Sequence, residues 1–260
     1  MIDPLTFIAL LPAVVLVVYI CRKDRTEKEP PALLAKLLGY GALSCLPAIV
    51  VELILSTIIE RLNVRNVYLG YFLEAFVVAG LTEETCKFLF LRTTWRSPAF
   101  DFQFDAIVYA VMVALGFAAF ENVKYVYSYG FATGIVRAVT AVPGHAIFGV
   151  FMGYFYGYAK LSDYWGREDD CRAYLALSVV VPVLMHGCYD FLAFAQESDS
   201  RFTLLFYAYL IALYVFGILR VNRSARADRR VSRETVFDYF RRMQYPVPPQ
   251  YRDRNDDFWR

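Results

Sequence analysis

The 260-residue chain is 58% hydrophobic, has a mean hydropathy of +0.40, and sets 27 Lys and Arg against 25 Asp and Glu for a formal net charge of +2. Apolar content this far above the roughly half found in soluble domains, gathered in blocks rather than spread with an amphipathic period, excludes an ordinary water-soluble domain. The small net charge gives no reason to expect a nucleic-acid partner.

A hydrocarbon core of about 30 Å takes about 20 residues of helix. Seven apolar segments reach that length, over residues 5–21, 33–59, 67–91, 104–126, 135–160, 174–195 and 202–221. The first lacks a basic start, carries Pro4 and Pro12, and ends in charges instead of a small-residue cleavage site, so it reads as an uncleaved span and not a signal peptide. Lys and Arg orient the chain, because positive residues in short loops stay on the cytoplasmic side. Arg22, Lys23, Arg25 and Lys28 follow the first span, Arg92 and Arg96 the third, Lys160, Arg167 and Arg172 the fifth, and an Arg-rich run from Arg220 the seventh. The opposite loops hold only Arg61, Arg65, Lys124, Arg137 and Arg201. The expected fold class is therefore all-α, a polytopic transmembrane bundle of about seven spans with its N-terminus out and C-terminus in. Residues 1–221 form the membrane domain and 222–260 a basic cytoplasmic tail, disordered or membrane-associated. Within that tail residues 232–243 can form a short amphipathic helix. The five cysteines fall in no metal-ligand spacing and read as small apolar residues.

Charge is expensive at membrane depth, on the order of 3 kcal/mol per ionised group on insertion scales, so such groups are carried where they pair or do chemistry. The third span holds Glu83, Glu84 and Lys87; the fourth, Glu121 and Asn122; the fifth, His145; the sixth, His186 and Asp190. The chain has two histidines and both fall inside spans. One such histidine would read as a satisfied core residue; two, with carboxylates on other helices, point to a site. Counting from the cytoplasmic charges, Arg96 to Glu83, Asp105 to Glu121, Lys160 to His145 and Arg172 to His186 span 13 to 16 residues, or about 20 to 24 Å of helix. All four helices thus carry their polar groups at one level, in the outer half of the membrane.

Local spacing adds roles. Glu83 and Lys87 stand four apart on one face, where the ammonium can pair with the carboxylate or with a developing oxyanion. His186 and Asp190 have the same relation, suited to a carboxylate that orients an imidazole. After Pro143-Gly144-His145, Gly149, Gly153 and Gly157 form a small-residue stripe. Helix packing is its first reading, and a groove for an extended substrate segment its second. Pro143 is expected to bend or open the helix beside His145.

Four motifs in order, Glu83-Glu84-Thr85-Cys86-Lys87, Phe117-Ala118-Ala119-Phe120-Glu121-Asn122, Pro143-Gly144-His145 and His186-Gly187-Cys188-Tyr189-Asp190, resemble those of the PrsW family of bacterial intramembrane proteases, distant relatives of the type II CAAX prenyl endopeptidases. The resemblance implies an integral protein of the bacterial cytoplasmic membrane that hydrolyses a peptide bond of a single-span membrane protein near the outer face. The best-known member of that family acts on an anti-sigma factor in a site-1 type cleavage. The resemblance also implies that Glu83, Glu84 and His145 are essential and that Glu121 and His186 complete the site.

Peptide hydrolysis needs an activated water, oxyanion stabilisation and a proton for the leaving amine. One of Glu83 and Glu84 is the expected base, with Lys87 and Asn122 orienting or stabilising charge. His145, His186 and Glu121 either hold a divalent metal such as zinc or bind the water and oxyanion directly. A proton- or ion-coupled transporter is the rival reading, though the internal repeat it predicts is missing, and an inactive membrane scaffold is the third. Nothing in the sequence sets an oligomeric state.

Overall fold

The structure, a computed structural model, describes residues 3–231. It is helical throughout, with one isolated bridge between Phe102 and Arg230. The helices are α1 (Pro4–Lys23), α2 (Pro31–Arg61), α3 (Val67–Phe72), α4 (Thr82–Leu91), α5 (Asp105–Tyr129), α6 (Phe131–Val139), α7 (Ala141–Tyr164), α8 (Glu168–Ala195) and α9 (Arg201–Arg226). A π-helical stretch, Leu73–Leu81, joins α3 to α4 without a break, so the three pieces make one span. With it, the seven expected spans are all present. Among the described residues, six helical stretches are individually long and apolar enough to cross a bilayer.

The ends obey local chemistry. Asp3 caps α1, and Asn66 caps α3 by accepting from the Leu69 amide at 3.1 Å. Proline starts α1 and α2, where a missing amide proton costs nothing. The sixth span begins earlier than expected, at Glu168, because Glu168, Asp169 and Asp170 favour the positive end of a helix. The fifth differs more. Its first residues form the separate helix α6, and the break falls at Thr140 (φ −121°, ψ −71°), not at Pro143. Pro143 sits in the first turn of α7, where no intrahelical donor is lost, so it neither bends nor opens the helix.

α5 is the central pillar. Every residue from Asp105 to Ala118 is buried, and the helix packs against α1, α2 and α7. Small residues permit this. A Cβ at Gly149 would lie 2.9 Å from the Ala114 Cβ, and one at Gly157 would lie 2.8 Å from the Gln103 carbonyl. The glycine stripe is therefore occupied by α5, and the substrate-groove reading of it is overturned. Outward, α1, α2 and α9 present Val14, Val15, Leu53, Ile54, Leu204, Ile211 and Phe216, the unbroken apolar surface a helical bundle shows to lipid.

Beyond α9 the chain returns along the cytoplasmic end. The Gln103 amide donates to the Arg229 carbonyl at 2.8 Å, the Phe104 amide donates to Asp228 at 2.9 Å, and Val231 is buried. This strap ties the α4–α5 connection to the end of α9. The amphipathic helix expected over residues 232–243 lies outside the described residues.

Candidate active site

Three helices converge on one buried centre. The π stretch widens the third span just before Glu83, and such segments recur at functional sites because they re-aim side chains that a regular helix would stack. Glu83, Glu84 and Lys87 then come from α4, His145 from α7 and His186 from α8. All five are at most 6% exposed. The Lys87 ammonium donates to Glu83 Oε2 at 3.0 Å, to Glu84 Oε1 at 2.7 Å and to His145 Nδ1 at 3.1 Å, and stands 4.0 Å from the Phe117 ring centre. The two imidazoles meet edge to face with centroids 5.1 Å apart, and His186 stacks on Phe148.

Both histidines are held the same way. His145 Nε2 lies 3.0 Å from Glu121 Oε2, and His186 Nε2 lies 3.2 Å from Asp190 Oδ2. A carboxylate only accepts, so each Nε2 carries a proton; both Nδ1 atoms face inward, and that of His145 accepts from Lys87. His186 Nδ1 is then 3.0 Å from Glu84 Oε1, two acceptors that need a proton or a cation between them. The second oxygen of Glu84 is buried without a hydrogen-bond partner among the described residues. Ligand atoms of Glu83, Glu84, His145 and His186 all lie within 4.8 Å of one another. Two inward imidazole nitrogens, two carboxylates and an orphaned buried oxygen fit a divalent cation of the zinc type.

The structure relocates two residues of the sequence-derived site. Glu121, counted there among the metal ligands, stands behind His145 because its Oε2 is engaged by His145 Nε2 and, at 2.7 Å, by Arg137 Nη2. Asn122 faces away from the centre, donating to the Ala9 carbonyl at 2.8 Å and accepting from Arg137 Nε at 3.2 Å. Arg137 itself, which the sequence offers only as an outer-loop charge, completes the outer edge from α6 and lies over the Tyr125 ring. Its signal was spacing: α6 is amphipathic, with Phe131, Ile135, Val136 and Val139 exposed and the arginine on the other face. The residues on this edge are the most open of the site, with Glu121 and Asp190 side chains 17% exposed and Arg137 15%.

A helical membrane bundle with carboxylates, imidazoles and an ammonium converging at bilayer depth belongs to the class of membrane proteins that carry their chemistry inside the membrane. Residues 29–218 match the family model of the PrsW family intramembrane metalloproteases. The chain is 34% identical over 214 residues to protease PrsW of Oceanobacillus iheyensis, covering 82% of this chain and 92% of that protein. To protease PrsW of Bacillus subtilis it is 32% identical over 215 residues, covering 82% and 92%, and to that of Clostridioides difficile 31% identical over 232 residues, covering 87% and 94%. No solved structure gives a significant match. The chain belongs to the PrsW family: it is a bacterial integral membrane protein and an intramembrane protease, and the transporter reading falls away.

Proposed function

We propose that the protein hydrolyses a peptide bond of a single-span membrane protein close to the outer face, with Glu83 as general base. The convergence of Glu83, Glu84, Lys87, His145 and His186 within hydrogen-bonding distance carries this reading. The depth supports the outer location, since His145 lies four residues into α7 from its outer end, about 6 Å along the axis. Exposure favours Glu83 over Glu84 as the group that meets water, because the Glu83 side chain keeps 8% of its surface and Glu84 none.

His145, His186 and Glu84 would hold the metal, zinc being the ion this donor set suits. When bound, it supplies Lewis-acid polarisation of the carbonyl and a nucleophile at neutral pH. The protein's own residues do the rest. Glu83 takes a proton from the attacking water as the C–O bond forms, Lys87 donates to the oxygen that gains charge, and the proton on Glu83 passes to the amine nitrogen as the C–N bond breaks. Glu121 and Asp190 keep the imidazoles oriented with Nδ1 inward. A metal-free version, with water activated by glutamate alone, is favoured by one observation: Lys87 already donates to three of the four ligand groups. An anti-sigma factor is the substrate that the family resemblance points to.

The test is purified protein reconstituted with single-span substrates, comparing the parent with Glu83→Ala, Glu84→Ala, His145→Ala and His186→Ala at equal folded amounts. Loss of cleavage in all four supports the site, and undiminished cleavage in any of them removes that residue from it. Metal content, with chelation and zinc add-back, separates the two versions.

A further inference from the structure

At the cytoplasmic end, far from the protease centre, a crevice of about 110 Å³ opens between α7, α9 and the strap. Tyr154, Tyr158, Arg220, Arg223 and Arg229 are among the residues that line it. An adjoining cavity of about 350 Å³ shares Tyr158 and Arg229 with it and is also lined by Arg167 and Asp170. Among the described residues, no carboxylate lines the smaller crevice and none of the three arginines has an ion-pair partner. Arg220 lies flat over Tyr154 with its guanidinium carbon 4.0 Å from the ring centre, yet its Nε is buried without a hydrogen-bond partner among the described residues. A guanidinium held against an aromatic face with a buried donor unused is a group prepared for an oxyanion.

The depth of the crevice names the source of that anion. Phe216, Ile218 and Leu219, about one turn or less before Arg220, are exposed on the lipid-facing side of α9. The arginines therefore begin where the apolar stripe stops, at the level of lipid headgroups, and tyrosines are the aromatic residues suited to that level. We propose that this crevice binds the phosphodiester headgroup of an anionic lipid of the cytoplasmic leaflet, clamped by Arg220, Arg223 and Arg229.

The full chain in nanodiscs tests this by thermal unfolding and by lipid retention in native mass spectrometry. Replacing phosphatidylcholine with phosphatidylglycerol is expected to raise the unfolding midpoint by at least about 2 °C. Each arginine removed is expected to weaken retention of phosphatidylglycerol about fivefold. The double variant Arg220→Gln/Arg223→Gln should lose the shift. Arg226→Gln, which removes a charge outside the crevice, should keep it. Arg220→Lys, which keeps the charge, should show weakened retention because a lysine cannot reproduce the fork. An equal midpoint in the two lipids, a shift that survives the double variant, or a shift lost equally in Arg226→Gln would overturn the proposal. So would inorganic phosphate reproducing the full effect in phosphatidylcholine, which would assign the crevice to a free anion instead.

Discussion

Replacing Lys87 with methionine isolates the electrostatic core of the site. Methionine keeps much of the side chain's length and apolar volume, so the change removes one charge and little packing. What is lost is an ammonium 1% exposed that donates at 2.7 to 3.1 Å to Glu84, Glu83 and His145 and rests on Phe117. What is left is a pair of almost fully buried carboxylates without their shared ammonium. Removing one partner of a buried ion pair costs about 3–5 kcal/mol, and the upper half of that range applies here because one ammonium serves both carboxylates. Unfolding in mixed detergent micelles with chelator present, at pH 7, measures it. Lys87 and a metal would draw on the same lone pairs, so zinc at a hundredfold its dissociation constant should restore about 2.7 kcal/mol to Lys87→Met and less to the parent. A variant within about 0.5 kcal/mol of the parent in chelator would refute the reasoning, since the carboxylates would then be neutralised some other way.

Separating the two glutamates comes next. Glu83→Gln is expected to lower kcat by at least about a hundredfold with metal content unchanged, whereas Glu84→Gln lowers metal content as well; inductively coupled plasma analysis beside turnover distinguishes them. Arg137→Gln, which frees Glu121 and Asn122 on the outer edge, should reduce activity about 10- to 100-fold through misorientation of His145, with circular dichroism unchanged. Gly153→Val drives a side chain against the α5 backbone, where even a Cβ would stand 2.5 Å from the Ile107 Cα. It should cost about 3 kcal/mol or more in micelle unfolding. On the cytoplasmic loop, burial raises the Glu29 carboxyl above its ordinary value, as it does for Asp24. A folded-state pKa above the unfolded one gives stability that is full below the unfolded value and lost as pH rises through the folded one. The parent should therefore lose stability as pH climbs from the acid side toward neutrality, and Glu29→Gln should show a flatter profile.

What could be read from the sequence was what water and lipid enforce. Long apolar blocks cannot be anything but spans, and charge inside them declares itself, which is why Glu83, Glu84, Lys87, His145 and His186 stand out from residue order alone. Counting from the cytoplasmic charges put four helices' polar groups at one level, and they do touch. The count has no angular information across helices, however. It could not tell that Glu121 backs His145 or that Asn122 serves the Ala9 carbonyl, because both depend on how α5 is rotated against α1 and α7. The pairing of Arg137 was hidden for a related reason: its partner Glu121 lies 16 residues earlier, across a turn, and the break that follows at Thr140 has neither proline nor glycine at that position to announce it. The π stretch and the strap joining Phe102 to Arg230 leave no periodic trace either.

The glycine stripe explains how the site keeps its geometry. His145, Gly149 and Gly153 are spaced by four and share a face of α7, and that face is pressed on α5. The close approach that the glycines permit is what sets His145 against Phe117 and within 3.0 Å of Glu121. On its other side α5 meets α2 equally closely, where a Cβ at Gly116 would collide with the Leu38 backbone. The pillar is therefore pinned from both faces by backbone contact, which tolerates less sliding than interdigitated side chains. Helices held this way can keep buried carboxylates and imidazoles in register without water to solvate an error, and in a membrane that is the condition for carrying such groups at all.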